Sequence, residues 1–177
     1  VEHQVLSELL PESGERIIDI GGSYGRLMDV YAPRFAHAVV YDYSQKALEQ
    51  AQKRVKDHSF AHVETKQGDV YRMPFEDNTF DAAIMVRVLH HIEDPDALFS
   101  EVKRILKPKG TFIVDIPNKI HLKNRISQFW NGNASLYKQY EPQKVGSATI
   151  GGEEGIFINY HPKHIIELLE KQGFLNV

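Results

Sequence analysis

The sequence predicts a doubly wound α/β domain, with a mainly parallel sheet and helices on both faces, and three observations carry that prediction. Strand-like and helix-like segments alternate from Arg16 to Ile116, and with right-handed crossovers such alternation builds a parallel sheet. Phe80 to Val88 is almost continuously apolar, as expected of a parallel strand covered on both faces. Ile17 to Arg26 is an apolar strand that meets Asp19 and then a turn holding Gly21, Gly22 and Gly25, opening a helix. Glycines in such a turn permit positive φ and let the backbone approach a ligand where a Cβ would not fit, while the next helix turns its N-terminus toward the same place.

Each element follows from local pattern. Val5, Leu6, Leu9 and Leu10 have helical spacing, stopped by Pro11 and Gly14. Ala38 to Tyr41 is a second short strand ending at Asp42. Ser44 is placed to cap a helix whose buried stripe is Ala47, Leu48, Ala51 and Val55. A weaker strand near Ala61 to Thr65 leads to Gly68 and Asp69. Asp94 and Pro95 form an N-cap and first-turn pair ahead of a helix with Leu98, Val102, Ile105 and Leu106 inward. Lys107 to Gly110 then turns the chain into a strand, Thr111 to Ile116. Residues 117 to 160 differ in kind: prolines, glycines and scattered aromatics with weak periodicity predict an irregular insertion, read as a lid or acceptor-binding segment within one domain spanning 1–177. A helix over Pro162 to Lys171 follows. Both ends read as trimmed, and the sheet is expected to lack its final antiparallel strand.

Composition excludes several classes. The 177 residues hold no cysteine, which removes disulfides, thiolate metal sites and cysteine nucleophiles. A net charge of −3 gives no overall field for nucleic acid, and the short basic cluster Lys119, His121, Lys123 and Arg125 reads as a solvated face. No apolar run reaches a membrane span. The expected setting is cytoplasmic, with a small-molecule partner and neither nucleic acid nor membrane; oligomeric state is not readable. Metal ligation is not expected: His161 and His164 have ligand-like spacing without a carboxylate or third histidine and read as a helix start, and Asp115 and Asn118 are not the adjacent Asp-Asn pair that a metal-dependent site joins to a further acidic ligand.

The glycine spacing narrows the ligand. A dinucleotide grip wants G-x-G-x-x-G, whereas this run is Asp19-x-Gly21-x-Ser23-x-Gly25, with a carboxylate suited to an ammonium group. In this it resembles the first motif, (D/E)-x-G-x-G-x-G, of the class I S-adenosylmethionine-dependent methyltransferases, with serine at the middle glycine. Asn78-Thr79-Phe80-Asp81, Val88-Leu89-His90-His91 with Asp94-Pro95, Arg104 to Gly110, and Leu168-Leu169 through Gly173-Phe174 resemble the small-molecule branch of that family; residues 117 to 160 are not covered. The resemblance implies a Rossmann-like fold and S-adenosylmethionine as cofactor.

On that resemblance Asp19, Gly21, Gly22, Ser23 and Gly25 would form the cofactor cradle. Asp42, at the end of the second strand, would accept hydrogen bonds from the ribose diol with Tyr43 beside it, and Asp69 would accept from the adenine amino group with Val70 beside it; the alternatives are a strand-end cap and an Asx turn. Arg87, unexpected inside an apolar strand end, is a candidate for a carboxylate of cofactor or acceptor. His90 and His91 follow the fourth strand, and one of them is the candidate general base if the acceptor must lose a proton; the alternative makes both structural or solvated. No Asn-Pro-Pro-Tyr type sequence follows that strand, which argues against base or amide nitrogens as acceptors. Two rivals stand beside methyl transfer to a small molecule: a non-catalytic S-adenosylmethionine-binding module of a larger protein, and a nicotinamide oxidoreductase, which the glycine spacing disfavours.

Overall fold

The computed structural model describes residues 2–116, 142–150 and 153–175. These fall into two compact units, one of residues up to 88 together with 100–115, the other of 89–99 and those beyond 115.

The first unit begins with α1 (Glu2–Leu9), in which Leu6 is buried while Val5 and Leu9 are exposed. β1 (Gly14–Ile20), β2 (Phe35–Asp42), β3 (Val63–Gln67), β4 (Phe80–Met85) and β5 (Leu106–Val114) form one sheet in the order β3-β2-β1-β4-β5. Every pairing in it is parallel. Alternation along the strands explains how both faces close. Ile17, Ala38, Val40, Ala82 and Ile84 join a core with Leu6 and Leu10 from the amino-terminal segment and with Leu48 and Ala51 of α3 (Gln45–Asp57). Their neighbours Ile18, Ile20, Val39, Tyr41, Ala83 and Met85, pointing the other way, are equally buried. The predicted cap is present, Ser44 Oγ accepting from the Ala47 amide at 3.3 Å. Val102 and Ile105 of α4 (Pro95–Ile105) are buried as expected.

Three expectations are corrected here. The helix after the glycine turn is only α2 (Met28–Tyr31), followed by a 3-10 turn over Ala32–Arg34. It starts three residues past Gly25 and is too short to aim a helix dipole at the turn. β4 stops at Met85 rather than Val88, because Arg87 adopts a left-handed φ of 64°. The turn Lys107 to Gly110 is an excursion within β5: Phe80 pairs with Leu106 and Ala82 with Thr111, with Lys109 at φ 66°.

The second unit holds a 3-10 turn at Leu89–His91, the hairpin of β6 (Gln143–Ile150) and β7 (Glu153–Asn159), and α5 (Pro162–Lys171). The hairpin corrects the expectation of irregular chain across 117 to 160: β6 and β7 pair antiparallel from Gln143 opposite Asn159 to Ile150 opposite Glu153, with a bulge between Lys144 and Gly146. It makes a sheet of its own and adds no strand to the five. Residues 117–141, with the basic cluster, Asn118 and the aromatics Phe129, Trp130, Tyr137 and Tyr140, lie outside the described residues. So do Gly151 and Gly152. The Tyr160 hydroxyl donates to the Ile92 carbonyl at 2.5 Å, and Lys171 and Gln172 both donate to Asp96 at 2.6 Å. Among the described residues, no further strand joins the five-stranded sheet and no helix is long and apolar enough to cross a membrane.

Candidate cofactor site at the strand ends

The first strand delivers Asp19 into the interior, where it is 2% exposed, the one charged residue within the buried core of the described chain. Its Oδ2 and the neighbouring Tyr31 hydroxyl are both buried without a geometrically complete hydrogen bond. Burial pushes the Asp19 carboxyl up to about 7, against a lowering pull from the Tyr31 hydroxyl and the Arg26 guanidinium and with a further upward push from Asp42. A buried carboxylate oxygen with nothing to bond is costly, and a cation placed beside it would offset that cost.

The turn that follows is shaped around this oxygen. Gly21 and Gly25 take left-handed conformations, φ 68° and 73°. Gly22, expected to do likewise, does not; Ser23 does, at φ 51°. Gly22 is required for space instead, since a Cβ there would lie 2.8 Å from Asp19 Cγ, Asp19 Oδ2 and Val40 Cγ1. The Val88 side chain occupies the position where a Cβ on Gly21 would stand. Four of the turn's amides are bonded within the protein. Gly21 and Gly22 donate to the Tyr41 carbonyl at 2.7 and 3.2 Å, Ser23 to Asp42 Oδ2 at 2.8 Å, and Gly25 to the Gly22 carbonyl at 2.8 Å.

Asp42 therefore has a structural task whatever else it does. Its Oδ2 holds the Ser23 amide and its Oδ1 the Ser44 amide, each at 2.8 Å, so it pins the glycine turn to the start of α3 and still has lone pairs unused by these two bonds. Tyr43, the next residue, is exposed. Asp69 lies two residues past β3; its Oδ1 accepts from the Tyr71 amide at 2.9 Å, the Asx turn weighed from sequence, and its carbonyl accepts from the Tyr41 hydroxyl at 3.0 Å. Val70 beside it is half-buried. Burial, with Asp69 and Glu101 nearby, pushes the Tyr41 hydroxyl up to about 12, so it donates at any physiological pH. Tyr41 thus ties the β1 turn and the β3 turn to β2, a function the sequence did not disclose beyond its place before Asp42. Tyr31, beside Asp19, carried no signal at all.

Arg87 is not inside a strand end, as expected, but beyond it, with its side chain 65% exposed and bonded to Glu2 of α1 at 2.7 Å. His90 and His91 belong to the second unit. Their rings lie 3.9 Å apart, and both meet Phe157 of β7, His90 stacked at 4.3 Å and His91 edge-on at 4.9 Å. Burial, then the adjacent His91, pushes His90 down to about 4. His161 caps α5, accepting from the Lys163 amide at 3.2 Å, and among the described residues no group of three or more acidic or histidine side chains could hold a metal.

A five-stranded parallel sheet with a buried, unpartnered carboxylate and a glycine turn at the carboxyl end of its central strand defines an α/β domain for a cofactor with a cationic end. A family model described as a methyltransferase domain matches residues 18–114, and the chain belongs to that family, of the class I S-adenosylmethionine-dependent kind. S-adenosylmethionine is the cofactor this membership implies. The ubiquinone/menaquinone biosynthesis C-methyltransferase UbiE of Ruegeria sp. (strain TM1040) is 30% identical over 109 residues, 60% of this chain and 44% of that one. The demethylmenaquinone methyltransferase of Thermotoga maritima is 25% identical over 189 aligned positions, 97% of this chain and 75% of that one. Among solved structures, a SAM-dependent methyltransferase of Thermotoga maritima, described as a possible histamine N-methyltransferase, matches with a TM-score of 0.65 at 26% identity, covering 98% of this chain and 69% of that one. The alignments with the quinone methyltransferases of Ruegeria and Clavibacter span less than half of those proteins.

Proposed function

We propose that this chain is the cofactor-binding and catalytic part of an S-adenosylmethionine-dependent methyltransferase acting on a small-molecule acceptor. The observation that carries the proposal is the orphaned Asp19 Oδ2 beside Gly22: a dinucleotide pyrophosphate would be repelled there, and the ammonium of S-adenosylmethionine would complete it. Asp42 is assigned to the ribose diol and Asp69 to the adenine amino group, with Tyr43 and Val70 flanking the base. The sulfonium supplies an activated methyl group; the protein's task is to hold the nucleophile in line with it. Calorimetric titration with S-adenosylhomocysteine and with NADH tests the cofactor. Binding of the first alone supports the reading, and binding of NADH alone overturns it.

For the acceptor, relatives named as quinone C-methyltransferases favour an electron-rich ring. The second unit is assigned to it on the cluster of His90, His91 and Phe157. A histidine held near 4 is a poor base at neutral pH, so His90 is assigned a packing role and His91 is kept as the candidate base. Turnover against demethylquinols, biogenic amines and phenols decides between carbon, nitrogen and oxygen as the methylated atom. Cofactor binding with no turnover on any of them favours the binding-module reading. Proteolysis between Tyr140 and Gly155 that ligand suppresses would support the lid assignment for 117–160, and equal cleavage with and without ligand would remove it.

A further inference from the structure

Glu2, in the first turn of α1, bridges two guanidiniums that have little reason to meet otherwise. Its Oε2 accepts from Arg26 Nη1 at 2.5 Å and its Oε1 from Arg87 Nη2 at 2.7 Å. Arg26 directly follows Gly25, and Arg87 precedes the Val88 that covers Gly21, so both arginines border the glycine turn and meet at one carboxylate. Arg26 is mostly buried, its side chain 23% exposed, and its Nη2 is buried with no partner. It also lies close enough to Asp19 to pull on that carboxyl. Beside this turn lie a buried carboxylate with an unbonded oxygen and a guanidinium pair with one donor unused and a carboxylate seated between them. That juxtaposition matches the ammonium and carboxylate of an α-amino acid.

We propose that Arg26 and Arg87 form a carboxylate clamp which Glu2 fills, and that the carboxylate of a bound amino-acid-bearing ligand displaces Glu2 and frees the first turn of α1. The clamp rests on the cofactor reading in so far as the ligand is the methionine end of S-adenosylmethionine; a carboxylate on the acceptor would use the same chemistry. Planar guanidiniums suit a carboxylate in either case. Partial burial raises the Glu2 carboxyl, and the two guanidiniums outweigh it, leaving Glu2 below the ordinary carboxylate range and charged at neutral pH. Glu2 is therefore a standing competitor.

The test is calorimetric titration of the full chain and of Glu2→Gln with S-adenosylhomocysteine, with decarboxylated S-adenosylmethionine, which keeps the ammonium and lacks the carboxylate, and with succinate. Because a part-exposed ion pair is a weak competitor, Glu2→Gln is expected to tighten S-adenosylhomocysteine by about 3- to 5-fold, leaving decarboxylated S-adenosylmethionine unchanged. Arg87→Gln in the same chain should cancel the gain. Hydrogen exchange at the α1 amides should speed up when S-adenosylhomocysteine binds. An unchanged S-adenosylhomocysteine affinity in Glu2→Gln, or an equal gain for the decarboxylated compound, overturns the clamp. If S-adenosylhomocysteine binds no variant, the cofactor reading fails and succinate decides: a gain in Glu2→Gln that Arg87→Gln cancels upholds the clamp for another carboxylate, and no binding overturns it.

Discussion

Asp19 and Asp42 lie at the carboxyl ends of adjacent strands, Asp19 one residue before the last of β1 and Asp42 the last of β2, yet the fold treats them in opposite ways. Asp42 has both oxygens on backbone amides at 2.8 Å, while Asp19 is 2% exposed with one oxygen bonded to nothing. The first carboxylate stabilises the empty protein by pinning a turn. The second, when ionised, costs stability, a cost that the proposed cofactor ammonium would offset. Two aspartates read together from sequence thus separate into a structural pin and a buried carboxylate held at the expense of stability.

The largest effect expected is at Asp19. Asp19→Asn removes the charge a buried ammonium would pair with, a change of roughly 2–4 kcal/mol, so S-adenosylmethionine affinity should fall by about 30- to 1000-fold. The empty protein should become more stable. Ionising a group moved from 3.8 to about 7 costs up to about 4 kcal/mol above neutral pH, a ceiling that the asparagine amide's own burial lowers. Calorimetry and thermal melts in parallel check both signs, and loss of stability together with loss of binding would erase the contrast between the two carboxylates.

Asp42→Ala should show the matching loss with the opposite partner sign. Affinity falls about 10- to 150-fold from lost charged hydrogen bonds, and stability falls by about 1–3 kcal/mol because the Ser23 and Ser44 amides lose their acceptor. An unchanged dissociation constant would remove the ribose assignment and leave Asp42 as a pin alone.

These contrasts also mark how far the sequence could be read. The alternation of strands and helices, the Ser44 cap, the Leu48 and Ala51 stripe and the bounds of α5 were legible because each depends on residues within a turn or two of one another. The cradle's glycines were legible as a turn but not in their individual roles. Gly22 is required by Asp19 and Val40, and the Gly21 and Gly22 amides are taken by the carbonyl of Tyr41, about twenty positions downstream; neither fact has a local signature. Tertiary pairing likewise made a hairpin of Gln143–Asn159, where Gly146 and Gly155 read as loop. Gly146 sits at the bulge and Gly155 faces Ala148 across the ladder. Pro33, at the start of the 3-10 turn, ended the second helix sooner than the expectation of an ordinary crossover allowed.

The pH dependence sharpens the comparison at smaller amplitude. Since the Asp19 carboxyl is raised in the folded chain, the folded state holds its proton between pH 3.8 and about 7 while the unfolded state has lost it. The Asp19 contribution to stability therefore declines as pH rises through that window and is flat above it. Affinity for the cationic cofactor should move the other way, rising up to about tenfold per pH unit below 7 and levelling above. Asp19→Asn should flatten both curves between pH 5.5 and 7.5. A wild-type chain whose affinity is level across that range would mean that Asp19 does not meet the ammonium.

The smallest effect is expected at Ser23, the position where this chain departs from (D/E)-x-G-x-G-x-G. Its φ of 51° is a conformation a serine adopts at a cost of order 1 kcal/mol and a glycine at almost none. Glycine also loses more freedom on folding, which opposes that gain, so Ser23→Gly should change stability by less than about 1 kcal/mol. What Asp42 holds at Ser23 is the backbone amide, and glycine keeps it. Cofactor affinity should therefore stay within about threefold of wild type, whereas Ser23→Pro, which removes that amide and cannot take positive φ, should reproduce the Asp42→Ala loss. If Ser23→Gly alone weakened binding tenfold, the serine hydroxyl would be a ligand contact, and the turn would grip its cofactor through a side chain rather than through the backbone shape that Asp42 fixes.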